Sequence, residues 1–278
     1  MGVSPSAVKH FAENGYAIAR GLFSGEEVSF LKKYFTDMVE RGGDGWAEGG
    51  VDPLHADPLK RYPRLLQPHR GDQVAMDYMI DARINEWLTA LLSREPLAVQ
   101  TMVYFKPPGA RGQALHQDNR YLKVEPGTCV AAWMALDACD EENGCLEVVP
   151  GSHKLDMVCP VPSDMSQSFT GETVPVPPGL STTMLPLRPG DVLFFNGSLI
   201  HGSPPNRSDR FRTIIVGHYI EGDAECVSEY YFPVYRMDGT MVEVARSPDG
   251  QPCGVFVDRD GQQVFELAGT IQEAKAAH

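Results

Sequence analysis

His116 and Asp118 stand one residue apart in the stretch ALHQDNRY (114–121). In an extended strand, residues i and i+2 project from the same face, so this spacing aims an imidazole and a carboxylate at one spot. Two ligands do not hold a transition metal, and the chain must supply a third. The best-placed candidate is His201, in FFNGSLIHGS, after a strand-like run and a turn. Two His and one carboxylate make the facial triad of a non-haem Fe(II) site, which leaves the opposite positions open for substrate and O₂. Arg212, in RFRTIIVGHYI, begins the next strand. Its planar guanidinium suits a carboxylate gripped by two hydrogen bonds. An HxD pair alone is weak evidence, because both residue types are common in loops. The layout raises it: the ligands fall on separate strand-like segments, as a metal held inside a barrel requires.

The elements that position these residues show as a change of period. Ser4 and Pro5 open a helix over 4–14 that ends at Gly15, and YAIARGLF (16–23) reads as a strand. Ser24 and Glu27 form a capping box before a helix with the apolar stripe Val28, Leu31, Phe35 and Val39. Residues 42–70 carry no period and are read as a structureless, mobile lid. Residues 72–93 are helical, with Asp81 capping the second half. From residue 97 the period is two. Strands are expected at 98–106, 114–118, 128–137, 144–150, 182–187, 191–196 and 211–219, with Asn143-Gly144 as a hairpin turn. Helices first and short strands after predict a mainly β domain, a sandwich or barrel with helices packed outside one sheet. One domain over 1–278 is expected: 1–96 helical support and lid, 97–222 core, 223–278 a C-terminal β extension built on three Asp-Gly turns.

The charge balance narrows the partners. With 24 basic and 37 acidic residues the net charge is −13, which argues against nucleic acid and anionic membranes. No apolar run approaches the ~18 residues of a membrane span, and no signal peptide opens the sequence. The opening MGVSPS matches a myristoylation pattern, but a helix start at Ser4-Pro5 explains it better. The cysteines at 129, 139, 145, 159, 226 and 253 include no CxxC pair and are read as reduced, buried small hydrophobes of a cytoplasmic protein. The sequence does not indicate an oligomeric state.

The stretches TMVYFKPPG, ALHQDNRYL, WMALDACDEENGCLEVVPGSHK, LRPGDVLFFNGSLIHGSPPNRS and FRTIIVGHY together resemble the phytanoyl-CoA dioxygenase family of Fe(II)- and 2-oxoglutarate-dependent oxygenases. The resemblance covers about 5–220 and is densest from 100 to 220. It implies a double-stranded β-helix (jelly-roll) core, iron on His116, Asp118 and His201, and Arg212 on the distal carboxylate of 2-oxoglutarate. It further implies cosubstrate contacts from Met102, Trp133 and Ser203. A family basic residue nearer the N-terminus has no clear match; Arg64, Gln67, His69 and Arg70 all remain open. Family halogenases replace the carboxylate ligand with Ala or Gly, so Asp118 argues against halogenation. The tail from about 223 departs from the family pattern.

Other residues carry weaker readings. Asn119, Arg120 and Tyr121 follow the ligand pair directly and are candidate substrate contacts. His218 shares a strand face with Arg212 and is read as a buried structural histidine. His153 is read as a loop residue, and Asp140, Glu141 and Glu142 as a solvated turn. The combined expectation is an oxygenase that hydroxylates or oxidatively cyclises a free small molecule of bacterial-type secondary metabolism, releasing succinate and CO₂. The rivals are an acyl-CoA 2-hydroxylase of the same family, a metal enzyme that uses no 2-oxoglutarate, and a non-catalytic small-molecule-binding jelly roll.

Overall fold

The computed structural model describes residues 2–270. Its centre is a larger sheet in the order Tyr16–Ala19, Val192–Asn196, Cys129–Ala135, Arg212–Glu221, Pro96–Lys106, Val234–Arg236, Met241–Val242, with Leu65–Leu66 also paired to Pro96–Lys106. A smaller sheet runs Gln113–His116, His201–Ser203, Leu146–Val148, Thr183–Leu185. The two share a core: Trp133, Ala135, Phe195, Ile214 and Val216 of the larger sheet meet Leu146, Val148 and Leu185 of the smaller. This is the jelly-roll architecture that the motifs imply.

The opposite face of the larger sheet takes the helices. Phe35 and Met38 of helix Gly25–Glu40 and Ile84 and Leu88 of helix Ala82–Leu92 pack on Val103, Met134, Phe194 and Ile215. With both faces covered, strand Cys129–Ala135 is buried at every position. That is why VAAWMA shows no polar alternation. The helix starts follow local chemistry. Ser4 accepts from the Ala7 amide, Ser24 and Glu27 close their capping box, and Asp81 accepts from Arg83.

Several expectations are corrected. Residues 42–70 are not structureless: a helical turn at Pro58–Arg61, the strand Leu65–Leu66 and a 3₁₀ turn at Pro68–Arg70 run through them. Ion pairs Arg64–Glu48 (2.6 Å) and Arg111–Asp57 (2.6 Å) fasten the stretch. Asn143-Gly144 does not turn a hairpin, because Cys129–Ala135 and Leu146–Val148 lie in different sheets. Asn143 instead accepts from the Asp140 amide and donates to the Ala138 carbonyl, shaping the crossover loop. Nor are all six cysteines free. Cys159 and Cys253 form a disulfide that ties the hairpin Pro252–Arg259/Gln262–Thr270 to the body, and the thiol argument for a reducing compartment falls away. Among the described residues, no helix is long and apolar enough to cross a membrane.

The close approach of the two ligand-bearing strands depends on Gly202. A Cβ there would lie 2.8 Å from the Gln113 carbonyl oxygen and 3.1 Å from the Leu115 nitrogen, both backbone atoms. Gly202→Ala is therefore expected to push His201–Ser203 away from Gln113–His116. The expected cost is about 1–3 kcal/mol of stability. The check is a urea melt of the apoprotein beside a metal titration. Unchanged values in both would show that the strands tolerate the side chain.

Candidate metal centre and cosubstrate pocket

His201 pairs in register with His116 across the smaller sheet, which brings their ring centroids to 4.2 Å. Asp118 reaches the same spot by a different route from the one expected. The strand ends at His116, and Asp118 has helical backbone angles (φ −62°, ψ −36°) at the start of the turn Asn119–Leu122. Strand alternation therefore does not explain the convergence; a strand-to-helix turn does. Asp118 Oδ1 lies 3.4 Å from His116 Nε2, and Oδ2 lies 3.6 Å from His201 Nε2. Each of the three buried residues offers a ligand atom within 4.8 Å of the others.

The hydrogen bonds fix which imidazole nitrogens face the centre. His116 Nδ1 donates to the Ala114 carbonyl and His201 Nδ1 to the Leu199 carbonyl, both at 2.9 Å. Each Nε2 is thus the unprotonated atom, as metal ligation requires. At His116 that lone pair accepts from the Gln113 amide at 3.1 Å. Burial pulls His201 down to about 4, so the ring is neutral near pH 7. Burial alone would raise the Asp118 carboxyl, but the imidazoles of His201 and His218 outweigh it and hold it well below the carboxylate range. His218, expected to be structural, donates from Nε2 to Asp118 Oδ2 at 3.1 Å. Its Nδ1 is buried with no partner among the described residues.

At the other end of the site lies a pair of buried cations. Arg212 is 3% exposed, its guanidinium carbon is 5.4 Å from the Trp133 ring centroid, and its Nε has no hydrogen-bond partner among the described residues. Burial lowers its pKa, so the environment favours an arriving anion. Lys106 sits opposite Arg212 on the neighbouring strand. It donates to Ser203 Oγ (2.8 Å) and to the Pro204 (2.7 Å) and Gly144 (3.2 Å) carbonyls. Burial, and then the charge of Arg212, pull the ammonium well below its ordinary value. Metal triad and cation pair line one cavity of about 600 Å³, together with Met102, Trp133 and Ser203. Met102, Val216 and Trp133 stand in one row across three strands.

The candidate substrate residues separate. Tyr121 lines the cavity. Asn119 does not: it is buried, and its side chain accepts from the Val124 amide to close the helical turn. Arg120 pairs with Glu172 and faces a smaller side cleft. Of the four N-terminal candidates only Arg64 reaches the cavity, where it donates to Tyr104 Oη at 3.2 Å. Gln67 and Arg70 donate to the Tyr230 carbonyl, and His69 packs against Thr101. Sequence reasoning missed Lys106, Gln113, Tyr104, Arg111, Phe169, Tyr230 and Tyr231 as cavity residues. Lys106 had a signal, as the one charge ending a buried strand; Phe169, Tyr230 and Tyr231 lie on connecting segments without one.

Comparison with known proteins agrees with this geometry. Residues 11–214 match the family described as Phytanoyl-CoA dioxygenase (PhyH). Rice "Phytanoyl-CoA dioxygenase 1" (Oryza sativa subsp. japonica) is 30% identical over 154 residues, 55% of each chain, so the match spans about half of that relative's length. The peroxisomal phytanoyl-CoA dioxygenase of Bos taurus is 26% identical over 279 residues, covering 95% of this chain and 80% of the relative. Among solved structures, the non-haem alpha-ketoglutarate-dependent carbocyclase SnoK from nogalamycin biosynthesis superposes with a TM-score of 0.66 at 21% identity, over 84% of this chain and 87% of that one. These matches place the chain among the non-haem Fe(II)- and 2-oxoglutarate-dependent dioxygenases. It belongs to the phytanoyl-CoA dioxygenase family.

His69 gives the structure a measurable acid response. The ring is buried, its Nδ1 accepts from the Thr101 amide at 3.2 Å, and burial lowers its pKa to about 3. The folded value lies below the unfolded ~6.5, so the unfolded chain binds the extra proton first. This contribution to stability is intact above pH 6.5 and is lost as pH falls towards 3. At pH 4.5 the loss is expected to be roughly 2–3 kcal/mol. Urea midpoints at pH 7 and 4.5 for the wild type and His69→Asn measure it. Equal pH slopes in the two proteins would assign the response to other groups.

Proposed function

We propose that this protein is an Fe(II)- and 2-oxoglutarate-dependent oxygenase that hydroxylates or oxidatively cyclises a free small molecule, with succinate and CO₂ as coproducts. The donor set fits the metal: two imidazole Nε2 lone pairs and one ionised carboxylate converge on one point, and both Nδ1 atoms are tied to carbonyls. His116, Asp118 and His201 hold the ion in this reading, and His218 holds the Asp118 carboxylate. The buried Arg212, whose Nε has no hydrogen-bond partner among the described residues, fits the distal carboxylate of 2-oxoglutarate, with the Ser203 hydroxyl in the same cavity and Lys106 keeping that hydroxyl in place. Met102 and Trp133 close the sides of the cosubstrate pocket. Iron bound with 2-oxoglutarate and O₂ supplies an oxidant able to remove hydrogen from an aliphatic C–H. The chain's own contribution is placement and exclusion of water. The two anchors, metal and cation pair, lie at separate points of one cavity and so fix the orientation of the five-carbon diacid between them.

The observation that carries the free-substrate reading is the pairing of the wall charges. Arg64 is matched by Glu48 and Arg111 by Asp57, so of the three outer-wall cations only Lys60 has no ion pair among the described residues. A CoA ester brings several phosphate charges that need open cations or a helix start. The wall therefore favours an uncharged or cationic compound over a thioester.

The variants separate the two anchors. His201→Ala is expected to abolish succinate release and metal binding while the fold persists. Arg212→Ala is expected to keep metal binding but raise the half-saturating 2-oxoglutarate concentration on the order of 100-fold, with Arg212→Lys between the two. Succinate release is measured with a panel of acyl-CoA esters and a panel of free polar metabolites. Coupled turnover of any acyl-CoA would overturn the free-substrate reading. An unchanged 2-oxoglutarate requirement in Arg212→Ala would overturn the role of Arg212.

A further inference from the structure

The segment after the family match supplies part of the cavity wall. Tyr230 and Tyr231, in the turn Glu229–Tyr231, line the main cavity, although the family match ends at residue 214. Tyr121 lines it from the other side of the chain's order. The same three tyrosines also line the side cleft next to Arg120 and Lys123, so they form the partition between the two spaces.

Their backbones are fastened while two of their rings are left open. The Tyr230 carbonyl accepts from Gln67 Nε2 at 3.0 Å and from Arg70 Nη2 at 2.7 Å. The Ser228 amide donates to the Leu122 carbonyl at 2.7 Å, which ties this turn to the one carrying Tyr121. Tyr231 is buried and stands edge-on to Tyr230, with centroids 5.2 Å apart at 85°. Tyr121 and Tyr230, by contrast, are 44% and 53% exposed. A large aromatic ring on a pinned turn, at the mouth of a cavity, is apolar surface held ready for a partner. The Arg120 guanidinium, ion-paired with Glu172, lies 5.6 Å from the Tyr121 centroid and occupies the neighbourhood of that ring. The Tyr121 ring is also 6.4 Å from the His116 ring, so a group resting against it would be close to the metal centre.

We propose that Tyr121 and Tyr230, backed by Tyr231, form a substrate subsite that takes an uncharged, hydroxyl-bearing ring and thereby selects which C–H faces the metal. The inference rests on the oxygenase reading above and deepens it. Aromatic faces match the flat faces of such rings, and the phenol hydroxyls match their polar edges. With Arg64–Glu48 and Arg111–Asp57 paired, Lys60 is the one outer-wall cation without an ion pair among the described residues, fewer than a polyphosphate group requires. Two of the three tyrosines lie on the C-terminal segment, outside residues 11–214, and the third lies within them.

Calorimetric titration of the full chain, loaded anaerobically with Fe(II) and 2-oxoglutarate, tests this. The probes are arbutin and quercetin 3-glucoside as aromatic glycosides, sucrose as a sugar without an aromatic ring, and palmitoyl-CoA as an anionic thioester. At least one of the first three is expected to bind. Tyr230→Ala and Tyr121→Ala should each weaken that binding by about tenfold or more, and Tyr230→Phe by no more than about threefold. Binding by an aromatic glycoside and not by sucrose would assign the ring as aromatic; the reverse would assign it as a sugar. No binding by any of the three, or binding that neither Ala variant weakens, overturns the subsite. So does palmitoyl-CoA binding that Tyr230→Ala weakens. A separate titration with 2-oxoglutarate distinguishes the levels of failure. If the wild type binds 2-oxoglutarate but the ring subsite fails, the oxygenase reading stands; if 2-oxoglutarate does not bind, that reading fails as well.

Discussion

Burial of the Asp118 carboxylate is the constraint on which the rest of the site depends. The residue is 7% exposed and ionised, and a buried carboxylate is costly unless it is paired. Among the described residues, its partners are three imidazoles: His116, His201 and His218. The Nδ1 bonds of His116 and His201 to backbone carbonyls turn their lone pairs inward, so those two rings offer acceptors beside an anion. Only His218 donates to it. Two lone pairs and a carboxylate oxygen at one point are poorly matched to each other and well matched to a divalent cation. The metal reading therefore follows from electrostatics as well as from ligand type.

The other end of the cavity has the opposite sign. Arg212 and Lys106 face each other across two strands and are buried together, which is unfavourable until an anion arrives. One pair of strands carries much of both ends: Pro96–Lys106 supplies Met102 and Lys106, and Arg212–Glu221 supplies Arg212 and His218. Their unbroken pairing from Arg212 opposite Lys106 to His218 opposite Gln100, before a register shift at His218/Tyr219, fixes the spacing between the negative and positive ends. The outer walls come from segments with less regular structure: residues 48–66, the loop with Phe169 and the turn with Tyr230. A sheet floor carries two of the three candidate metal ligands and the two buried cations, and loops form the walls around it.

Most of the floor was legible in the sequence. The strands from 98 to 219 announced themselves by period, Ser24 and Glu27 marked a helix start, and the triad and Arg212 were readable by type and order. Their convergence was read for a partly wrong reason. Asp118 does not continue the strand of His116; a one-residue gap can equally span a strand end and a helical turn, and side-chain types alone do not separate the two. The paired charges that fasten 42–70 are long-range: Asp57 meets Arg111 and Glu48 meets Arg64 only once the chain is folded, so an aperiodic stretch looked loose. The Cys159–Cys253 bond spans 94 positions and carries no local spacing signal. His218 was placed on the correct face, but its bond to Asp118 joins residues 100 positions apart. The C-terminal tyrosines were invisible for the same reason, since they reach the cavity by packing and not by pattern.

In the proposed arrangement one cavity holds a metal at its negative end and the cosubstrate between that metal and Arg212. The most direct measurement is the binding of 2-oxoglutarate to the apoprotein with and without one equivalent of Fe(II) under anaerobic conditions, followed by calorimetry and the visible charge-transfer band. One metal per chain is expected, with 2-oxoglutarate affinity raised by at least about tenfold when the metal is present, since the ion supplies the second anchor. Affinity for 2-oxoglutarate that is indifferent to the metal, or the absence of a stoichiometric metal site, would contradict this arrangement.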